Sequence, residues 1–507
     1  MAVRSGPATS PARGFFPLAA RQARGRRLTF LPVTRQSGAK PEDVAFWVPL
    51  LGAVAVACLM PAVADTYWHL RAGQDIVATG TVSLVDRYSY TARGDEWPDH
   101  EWLWQLASFG AHALGGMPLL TAFAAGLVVA ALAIAHHLAV GPWPTRALLF
   151  TLTVPFTRTG WAVRPQAFTL LALVTVLALT ARRRLVFVPL IFLVWANVHG
   201  AVVLGFIPLA AGLGVALMRR EHKWALAIAA AIVASGAATF ATPLGPRLYS
   251  FIGESMERSR LNVIGEWRPT IDVLGFYIPY LVIAAALPVA AIRLWRRLPT
   301  FEDQVIVGTA VLFAPLAVRA LRNNGPLALL AFPAATRLLA VSTSARLAAW
   351  SAAVRDALEG IVGSGPEALA RSRKQILGFG LLTAALVGVG WAHPFARSNW
   401  VPVSARARAA IAGCSGQVFN EYGKGGYLIW FVPEKPVFID GRQDPYGISF
   451  LSTVRELADD PAARAAIFKR YQIQCAALDP KSRMVGLLRE SGWRERYRDD
   501  RWVVLAE

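Results

Sequence analysis

The sequence predicts a polytopic α-helical membrane protein that carries a small soluble α/β domain at its C-terminal end. Of its 507 residues, 55% are hydrophobic and only 17% are charged, and the mean hydropathy is +0.42. The apolar residues occur in runs of roughly 17–25, the length that crosses about 30 Å of hydrocarbon as a helix. After about residue 393, short strand-like and helix-like segments replace these runs.

The apolar runs predict about eleven membrane spans, with the N-terminus inside the cytoplasm and the C-terminus outside it. The run that ends at Val198 is short for a complete crossing, so a broken or re-entrant helix is an alternative there. The predicted spans cover residues 44–64, 117–140, 146–163, 166–181, 185–198, 200–218, 223–241, 274–292, 303–320, 325–341 and 375–392.

The net charge of +20 by itself suggests a nucleic-acid partner, but the placement of the charges argues against one. Arginine and lysine are concentrated in alternate loops, as the positive-inside rule requires of loops that face the cytoplasm. We therefore expect membrane lipids as partners and no nucleic acid. The basic residues of these loops are Arg146, Arg182, Arg183, Arg184, Arg219, Arg220, Lys223, Arg293, Arg296, Arg297 and the set from Arg337 to Lys374.

The chain divides into three predicted parts. Residues 1–43 form a disordered, basic cytoplasmic tail, because arginine, glycine, proline and serine are frequent there; an organellar transit peptide is the alternative. Residues 44–393 form the transmembrane domain, which includes a large first outer loop at 65–116. Residues 394–507 form an extracytoplasmic α/β domain.

Local patterns predict the elements outside the spans. The first outer loop should contain two amphipathic helices, Asp65 to Thr79 and Trp97 to Leu114, that lie along the membrane surface. For the C-terminal domain the pattern predicts strands at 418–419, 427–432, 437–439 and 475–478, helices at 454–470 and 484–489, and a hairpin around 501–505.

The chain has three cysteines. Cys58 lies in the first predicted span and is expected to pack as a small apolar residue. Cys414 and Cys475 both lie in the predicted extracytoplasmic domain, where an oxidising compartment would allow a disulfide. Sequence alone leaves open whether the two are within bonding distance.

Ionisable residues gather where the first span ends. Asp65 and His69 follow the span directly, and about thirty residues later comes the cluster Asp99, His100 and Glu101. Such residues are costly at the edge of a bilayer, so they indicate a catalytic cleft at the outer membrane surface.

Further polar residues fall at or near the predicted outer ends of other spans and could join this cleft. A carboxylate can activate an acceptor hydroxyl and arginine can hold a phosphate bidentately, so the combination points to transfer from a phosphate-linked donor. No nucleotide-binding or phosphate-loop motif competes with this interpretation. The residues concerned include Arg164, Gln166, Asn197, His199, Glu266, Arg319 and Arg322.

Each of these assignments has a structural alternative. Asp65 could cap the helix that begins at Thr66, and His69, one turn later, could orient that carboxylate or pack at the headgroups. Arg164 could reach a lipid phosphate. His199 could be a hydrogen-bonded structural histidine.

A turn in the C-terminal domain carries a second polar group, formed by Asp440, Arg442 and Asp444. These residues could form an ion pair that satisfies the turn internally, or they could point at the cleft and contact the acceptor. Both readings remain open at the level of sequence.

The string DTYWHLRAGQDI, with DRYSYTARGDEWPDHEWLWQ after it, resembles the first outer loop of bacterial membrane proteins that have a GT-C-type glycosyltransferase fold. Relatives of this group include protein O-mannosyltransferases, aminoarabinose transferases and oligosaccharyltransferases. The agreement continues in order through VRPQAF at 163–168, WANVHG at 195–200, TPLGPRLY at 242–249, GEWRPT at 265–270, LRNNGPLALLA at 321–331, VFNEYGKGGYLIWF at 418–431 and VFIDGRQDPYG at 437–447.

The resemblance implies a catalytic acid just after the first span, a position that Asp65 occupies. It also implies a polyprenyl-phosphate-linked sugar as donor, for whose phosphate Arg164, Arg319 and Arg322 are the candidates.

The first outer loop departs from better-known members because it lacks a clear pair of adjacent acids. Asp99 and Glu101 could take the second acid role. Together with Asp65 they could instead bind a divalent cation, Mg²⁺ or Mn²⁺, as in oligosaccharyltransferases.

We therefore expect a glycosyltransferase of the bacterial inner membrane that passes a sugar to an extracytoplasmic lipid, glycan or protein, with Asp65 as general base. A flippase or transporter is one alternative, although it would need ionisable residues near the bilayer midplane and inverted repeats. A non-catalytic relative that scaffolds an envelope assembly is the other.

Overall fold

The computed structural model describes residues 41–258, 265–342, 345–362, 366–393 and 399–507. Residues 1–40 of the predicted tail lie outside the described residues. The helices before the C-terminal domain are α1 (Pro41–Ala57), α2 (Ala64–Thr79), α3 (Trp102–Leu138), α4 (Trp143–Thr157), α5 (Gln166–Ala181), α6 (Val188–Val198), α7 (Phe206–Met218), α8 (His222–Ala238), α9 (Arg247–Arg258), α10 (Ile278–Leu294), α11 (Phe301–Arg319), α12 (Asn324–Ala340), α13 (Ala345–Val362) and α14 (Pro366–Ala392).

The chain is a membrane protein whose described part is mostly helical. Five helices are long and apolar enough to cross a bilayer: Trp102–Leu138, Gly200–Met218, Ile278–Arg297, Phe301–Arg319 and Lys374–Ala392. Shorter apolar helices lie at Phe46–Ala57, Gln166–Ala181, Leu185–Val198 and His222–Ala238.

Helix α3 joins the second predicted outer-loop helix to the next predicted span. Gly115 and Gly116 interrupt it, with non-helical backbone at both positions and φ = 65° at Gly116. Glycine adopts this backbone readily because it has no Cβ atom. The two glycines form a kink at the boundary that the sequence predicts between the amphipathic helix and the span. The helix begins at Trp102, five residues later than the prediction at Trp97.

The chain breaks again at His199, between α6 and the 3-10 turn Gly200–Gly205. His199 has extended backbone, with φ of −162° and ψ of 135°. The helix before it has only 11 residues, which agrees with the broken helix considered as an alternative at this point.

The C-terminal domain contains a four-stranded sheet in the order β1-β2-β4-β3. Strand β2 pairs in parallel with β1 and antiparallel with β4, which continues antiparallel to β3. The elements are α15 (Ala405–Ala412), β1 (Gln417–Asn420), α16 (Gly425–Phe431), α17 (Ile448–Glu456), α18 (Pro461–Arg470), β2 (Ile473–Leu478), α19 (Arg483–Glu490), β3 (Arg494–Arg498) and β4 (Val503–Ala506).

The strand predicted at 427–432 is wrong, because this segment is helix α16. The ring of Tyr67 in α2 contacts both Tyr427 and Phe431, at centroid distances of 5.4 and 5.1 Å. Residues four apart share one face of a helix about 6 Å apart, whereas along a strand they would be separated by about 13 Å. Contact with α2 therefore favours the helix over the β-propensity of the sequence.

Two further C-terminal predictions need correction. The predicted strand at 437–439 forms only an isolated bridge, from Val437 to Ser89 in the first outer loop. The single helix predicted at 454–470 is two helices, because Asp460 caps a new helix that starts at Pro461.

Residues 65–116, which the sequence predicts as the first outer loop, share a hydrophobic core with the C-terminal domain. Trp68 and Trp97 of the loop are buried in one cluster with Val418 and Cys475 of the sheet. A backbone hydrogen bond of 3.0 Å from Tyr90 N to the carbonyl of Val437 adds to this contact. The C-terminal domain is therefore packed directly on the loop that carries the predicted catalytic residues.

Cys414 and Cys475 form a disulfide, and Cys58 is a buried free cysteine. The disulfide closes a loop of 61 residues between α15 and β2. We expect Cys475→Ser to lower the free energy of unfolding by about 2–4 kcal/mol, because the unfolded chain regains the entropy of that loop. Denaturant unfolding of the purified protein measures the change, with Cys58→Ala as control.

Maleimide–polyethylene glycol labelling of the denatured protein counts the free thiols. We expect one adduct without reductant and three adducts after reduction, since the chain has three cysteines. Three adducts before reduction would contradict the disulfide.

Candidate functional site

A cavity of about 520 Å³ opens where the first outer loop, the ends of several helices and the C-terminal domain meet. All but two of the residues singled out in the sequence line it. Those that line it are Asp65, His69, Asp99, His100, Glu101, Arg164, Gln166, His199, Glu266, Arg319, Arg322, Arg442 and Asp444.

Arg164 links two carboxylates on the cavity wall. Its Nη1 lies 3.1 Å from Asp65 Oδ2, and its Nη2 lies 3.0 Å from Glu266 Oε2. The three residues come from the start of α2, the loop before α5 and the 3-10 turn Gly265–Trp267. The side chain of Asp65 keeps 27% of its surface exposed, so it can reach a molecule in the cavity.

Two more arginines lie on the same wall. Arg322 Nη1 is 3.7 Å from Glu266 Oε1, and its guanidinium stacks over Trp267 at 4.4 Å. Arg319 ends helix α11, is exposed, and forms no ion pair within the described residues. The wall therefore offers two guanidiniums held by Glu266 and one that is open to a ligand.

Glu101 lies at the centre of three histidines. The Nε2 atoms of His69, His100 and His199 lie 3.6, 3.7 and 3.7 Å from the oxygens of its carboxyl group. His69 follows Asp65 by one turn of α2, and His100 precedes Glu101 in the chain. Residues far apart in sequence thus form one buried cluster beside Asp65.

Hydrogen bonds define the tautomers of two of these imidazoles. Nδ1 of His100 lies 3.1 Å from the carbonyl of Pro98, which can only accept, so Nδ1 carries the proton. Arg322 Nη2 donates to Nε2 of His199 at 3.4 Å, so Nδ1 of His199 donates to Thr169 Oγ1 at 2.7 Å. Both Nε2 atoms are therefore unprotonated; that of His199 accepts from Arg322, and that of His100 lies 3.7 Å from the Glu101 carboxyl group.

Burial shifts the pKa of Glu101 and the pKa values of the three histidines in opposite directions. Burial, helped by the neighbouring acids Asp444 and Asp99, raises the pKa of Glu101 well above its usual value. Burial lowers the pKa of His69 and of His199 well below the ordinary value and that of His100 to about 4. At neutral pH the histidines are therefore uncharged, and burial favours the protonated form of Glu101.

The two carboxylates around Arg164 differ from each other. Burial raises the pKa of Glu266, but Arg322 and Arg164 outweigh it, so the pKa lies below its ordinary value. Burial also raises the pKa of Asp65, and the opposing effect of Arg164 does not cancel it, so the pKa lies above its ordinary value. A raised pKa makes the Asp65 carboxylate a better proton acceptor, while Glu266 stays charged beside the two arginines.

Asn197 does not line the cavity, so its predicted role as cleft lining is wrong. Its side chain accepts a hydrogen bond from Trp102 Nε1 at 2.6 Å and donates to the carbonyls of Leu193 and Ala241. These bonds use its amide to join α3 to α6 and to the end of α8.

The three acids predicted for a divalent cation have other neighbours in the described part of the chain. Within the described residues, no group of three or more histidine, cysteine, aspartate or glutamate side chains has the arrangement to hold a metal ion. Asp65 is paired with Arg164, and Asp99 Oδ1 accepts from Gln105 Nε2 at 2.6 Å. The cation remains a prediction from the resemblance alone.

The turn of the C-terminal domain covers this site. Arg442 is fully buried, 2.7 Å from Asp86 of the outer loop and 2.7 Å from Asp440. It also stacks against the rings of Tyr88 and Trp97. Asp440 does not line the cavity, so of the three predicted acceptor contacts the structure brings Arg442 and Asp444 to the wall.

Gly441 of the same turn approaches the predicted base. A Cβ atom at this position would lie 2.2 Å from Asp65 Oδ1, so only glycine allows the turn to contact Asp65. The side chain of Tyr422 is beside it and donates a hydrogen bond to the Gly441 carbonyl at 2.9 Å.

Sequence reasoning missed Trp267 as a cavity-lining residue. It is the direct neighbour of Glu266, which sequence reasoning did select. Trp267 lies in a string that carries the resemblance, and this was the available signal.

No family model and no curated protein matches this chain. Solved structures do. The Archaeoglobus fulgidus oligosaccharyltransferase AglB, in complex with an inhibitory peptide and a dolichol-phosphate, aligns with a TM-score of 0.52 at 11% identity, covering 86% of this chain and 69% of AglB. The A. fulgidus oligosaccharyltransferase tethered to an acceptor peptide aligns with a TM-score of 0.50 at 11% identity, covering 85% and 69%.

ArnT from Cupriavidus metallidurans, bound to undecaprenyl phosphate, is also similar, with a TM-score of 0.45, 16% identity and coverage of 91% of this chain and 98% of ArnT. Oligosaccharyltransferases have a GT-C-type fold. At 11% identity the likeness to AglB concerns the fold alone, and this membrane protein has a GT-C-type fold.

Asp99 gives a test of the buried electrostatics. Burial raises its pKa to about 7, so the native state binds this proton more tightly than the unfolded chain does. Stability from this proton is complete below the unfolded pKa of about 4 and is lost as the pH rises through about 7. The side chain introduced by Asp99→Asn does not titrate. The free energy of unfolding of this variant, relative to wild type, should therefore increase between about pH 5 and about pH 8.

Thermal unfolding at the two pH values measures this difference. Asp95→Asn, an exposed acid of the same loop, is the control and should show no such trend. An equal offset for Asp99→Asn at both pH values would contradict a raised pKa.

Proposed function

We propose that this protein is a glycosyltransferase of the bacterial inner membrane that moves a sugar from a polyprenyl-phosphate carrier to an acceptor outside the cytoplasm. The observation that carries the proposal is the contact between Asp65 and Arg164, 3.1 Å apart on the wall of one cavity. A base and a phosphate-binding cation so placed are the two groups that such a transfer needs.

In the proposed reaction Asp65 accepts the proton of the acceptor hydroxyl as its oxygen bonds to the anomeric carbon. The bond from that carbon to the phosphate oxygen breaks, and the polyprenyl phosphate leaves with the electron pair. Arg164, Arg319 and Arg322 stabilise the charge on the departing phosphate. Glu101 and its histidines form a polar wall beside Asp65.

The state of the arginines supports a phosphate ligand. Arg319 is exposed at the cavity without an ion partner in the described chain. Nε of Arg164, just before the start of α5, is buried and has no hydrogen-bond partner there. A phosphate oxygen at the N-terminus of α5 could accept from Arg164 and would be favoured by the helix dipole. AglB, which shares the fold, was solved with a dolichol-phosphate.

The topology is part of the proposal: about eleven spans, the N-terminus in the cytoplasm, and residues 394–507 outside it as a domain distinct from 44–393. The disulfide supports this orientation, because disulfides persist in oxidising compartments and are rare in the cytoplasm.

The central test follows label release from a radiolabelled polyprenyl-phosphate sugar by the protein reconstituted in vesicles. We expect Asp65→Asn to lower the rate by about 10²–10⁴, because the amide cannot take the acceptor proton. Asp95→Asn in the same outer loop should keep the wild-type rate. Binding without release would favour a scaffold, and transfer of intact lipid across the vesicle, insensitive to Asp65→Asn, would favour a flippase.

The role of Arg319 can be tested with a variant that should not unfold the protein. Arg319→Ala removes a cation that has no partner in the described residues, so the protein should fold while the KM for the donor rises about tenfold or more. Arg268→Ala is the matched control, because Arg268 is exposed nearby and does not line the cavity. Equal donor KM values for the two variants would exclude Arg319 from the phosphate site.

A further inference from the structure

Gln443 has a backbone conformation that its position in the fold does not explain. Four non-glycine residues in the described chain have positive φ: Arg183, Arg220, Gln443 and Gln472. Three of them directly follow the C-cap of a helix, where left-handed backbone is common. Gln443, with φ of 48°, instead lies in the turn that covers the cavity.

The surroundings keep this turn rigid. Arg442 holds it to Asp86 through a fully buried ion pair, and Asp440 also accepts a hydrogen bond from the Tyr446 hydroxyl at 2.8 Å. The carbonyl of Gln443 itself accepts from Tyr446 N at 3.1 Å. Left-handed backbone at a glutamine persists only where the structure around it enforces it, and such residues cluster at ligand sites.

The side chain of Gln443 lines the cavity and is available to a ligand. It forms no hydrogen bond to other residues of the described chain, although its amide has donors and an acceptor. It follows Gly441, whose backbone contacts Asp65, by two residues. When an acceptor hydroxyl gives its proton to Asp65, the acceptor groups next to that hydroxyl would therefore lie near the Gln443 amide.

The charge of this wall limits the kind of acceptor. The C-terminal domain contributes Tyr422, Gly441, Arg442, Gln443 and Asp444 to the cavity. The only cation among them, Arg442, is neutralised by two buried carboxylates. Amide and phenol groups suit hydroxyls, and the Asp444 carboxylate disfavours an anionic group, which Arg164, Arg319 and Arg322 would attract instead.

We propose that Gln443 binds the acceptor through its carboxamide, and that the acceptor is an uncharged, polyhydroxylated molecule of the saccharide class. This inference rests on the proposed glycosyl transfer. It assigns Gln443 to acceptor specificity, apart from the arginines that hold the donor phosphate.

The test measures transfer from the radiolabelled polyprenyl-phosphate sugar to two probes, a neutral octyl glycoside and the same glycoside with a 6-phosphate. We expect wild type to use the neutral probe at least about tenfold better by kcat/KM. Gln443→Gly removes the amide and relieves the left-handed backbone, so the protein should melt no lower than wild type. Its KM for the neutral glycoside should rise about tenfold, with a smaller change in kcat.

Two variants complete the design. Gln443→Asn keeps an amide on a residue that tolerates left-handed backbone, and it should restore part of the acceptor affinity. Gln472→Gly changes the other left-handed glutamine, which is exposed and outside the cavity, and should leave the KM for the glycoside at the wild-type value.

An unchanged KM for the neutral glycoside in Gln443→Gly would overturn the inference, and so would preference for the phosphorylated probe. Either result, obtained while label release still depends on Asp65, would leave the proposed transfer intact. If wild type and Asp65→Asn release label at the same rate, the proposed function itself is overturned.

Discussion

Arg442 is buried between Asp86 and Asp440, and the geometry of the cavity depends on this ion pair. The arginine belongs to the C-terminal domain and Asp86 belongs to the first outer loop, so the pair joins two segments far apart in sequence. An unpaired charge at such a depth would be very costly, which ties the two segments to one relative position. The stacked rings of Tyr88 and Trp97 restrict the guanidinium further.

This restraint has a direct effect on Asp65. The turn that Arg442 anchors brings Gly441 into contact with the Asp65 carboxylate and limits its exposure to solvent. Arg164 contacts the other oxygen of the same carboxylate, Oδ2. The predicted base is thus held between a backbone from one domain and a guanidinium from the other, which is the kind of preorganisation that transfer chemistry requires.

Several elements could be predicted from local sequence, and others could not. The apolar runs and the helix Asp65 to Thr79 follow from periodicity, and the order of motifs predicts a GT-C-type fold. The strand predicted at 427–432 was wrong because contacts with α2 outweigh local β-propensity. Asn197 was misjudged because sequence places it at a helix end but cannot reveal that its amide bonds to Trp102 and two carbonyls.

The sequence by itself determined the class of this protein: a helical membrane domain, a C-terminal α/β domain, and ionisable residues placed at span ends, where their cost requires a reason. Only the tertiary structure decided which of those residues meet. Convergence of Asp65 with Arg164, and of three histidines on Glu101, depends on how helices pack across long stretches of chain. Local propensity carries no information about such distances, because packing of the whole chain sets them.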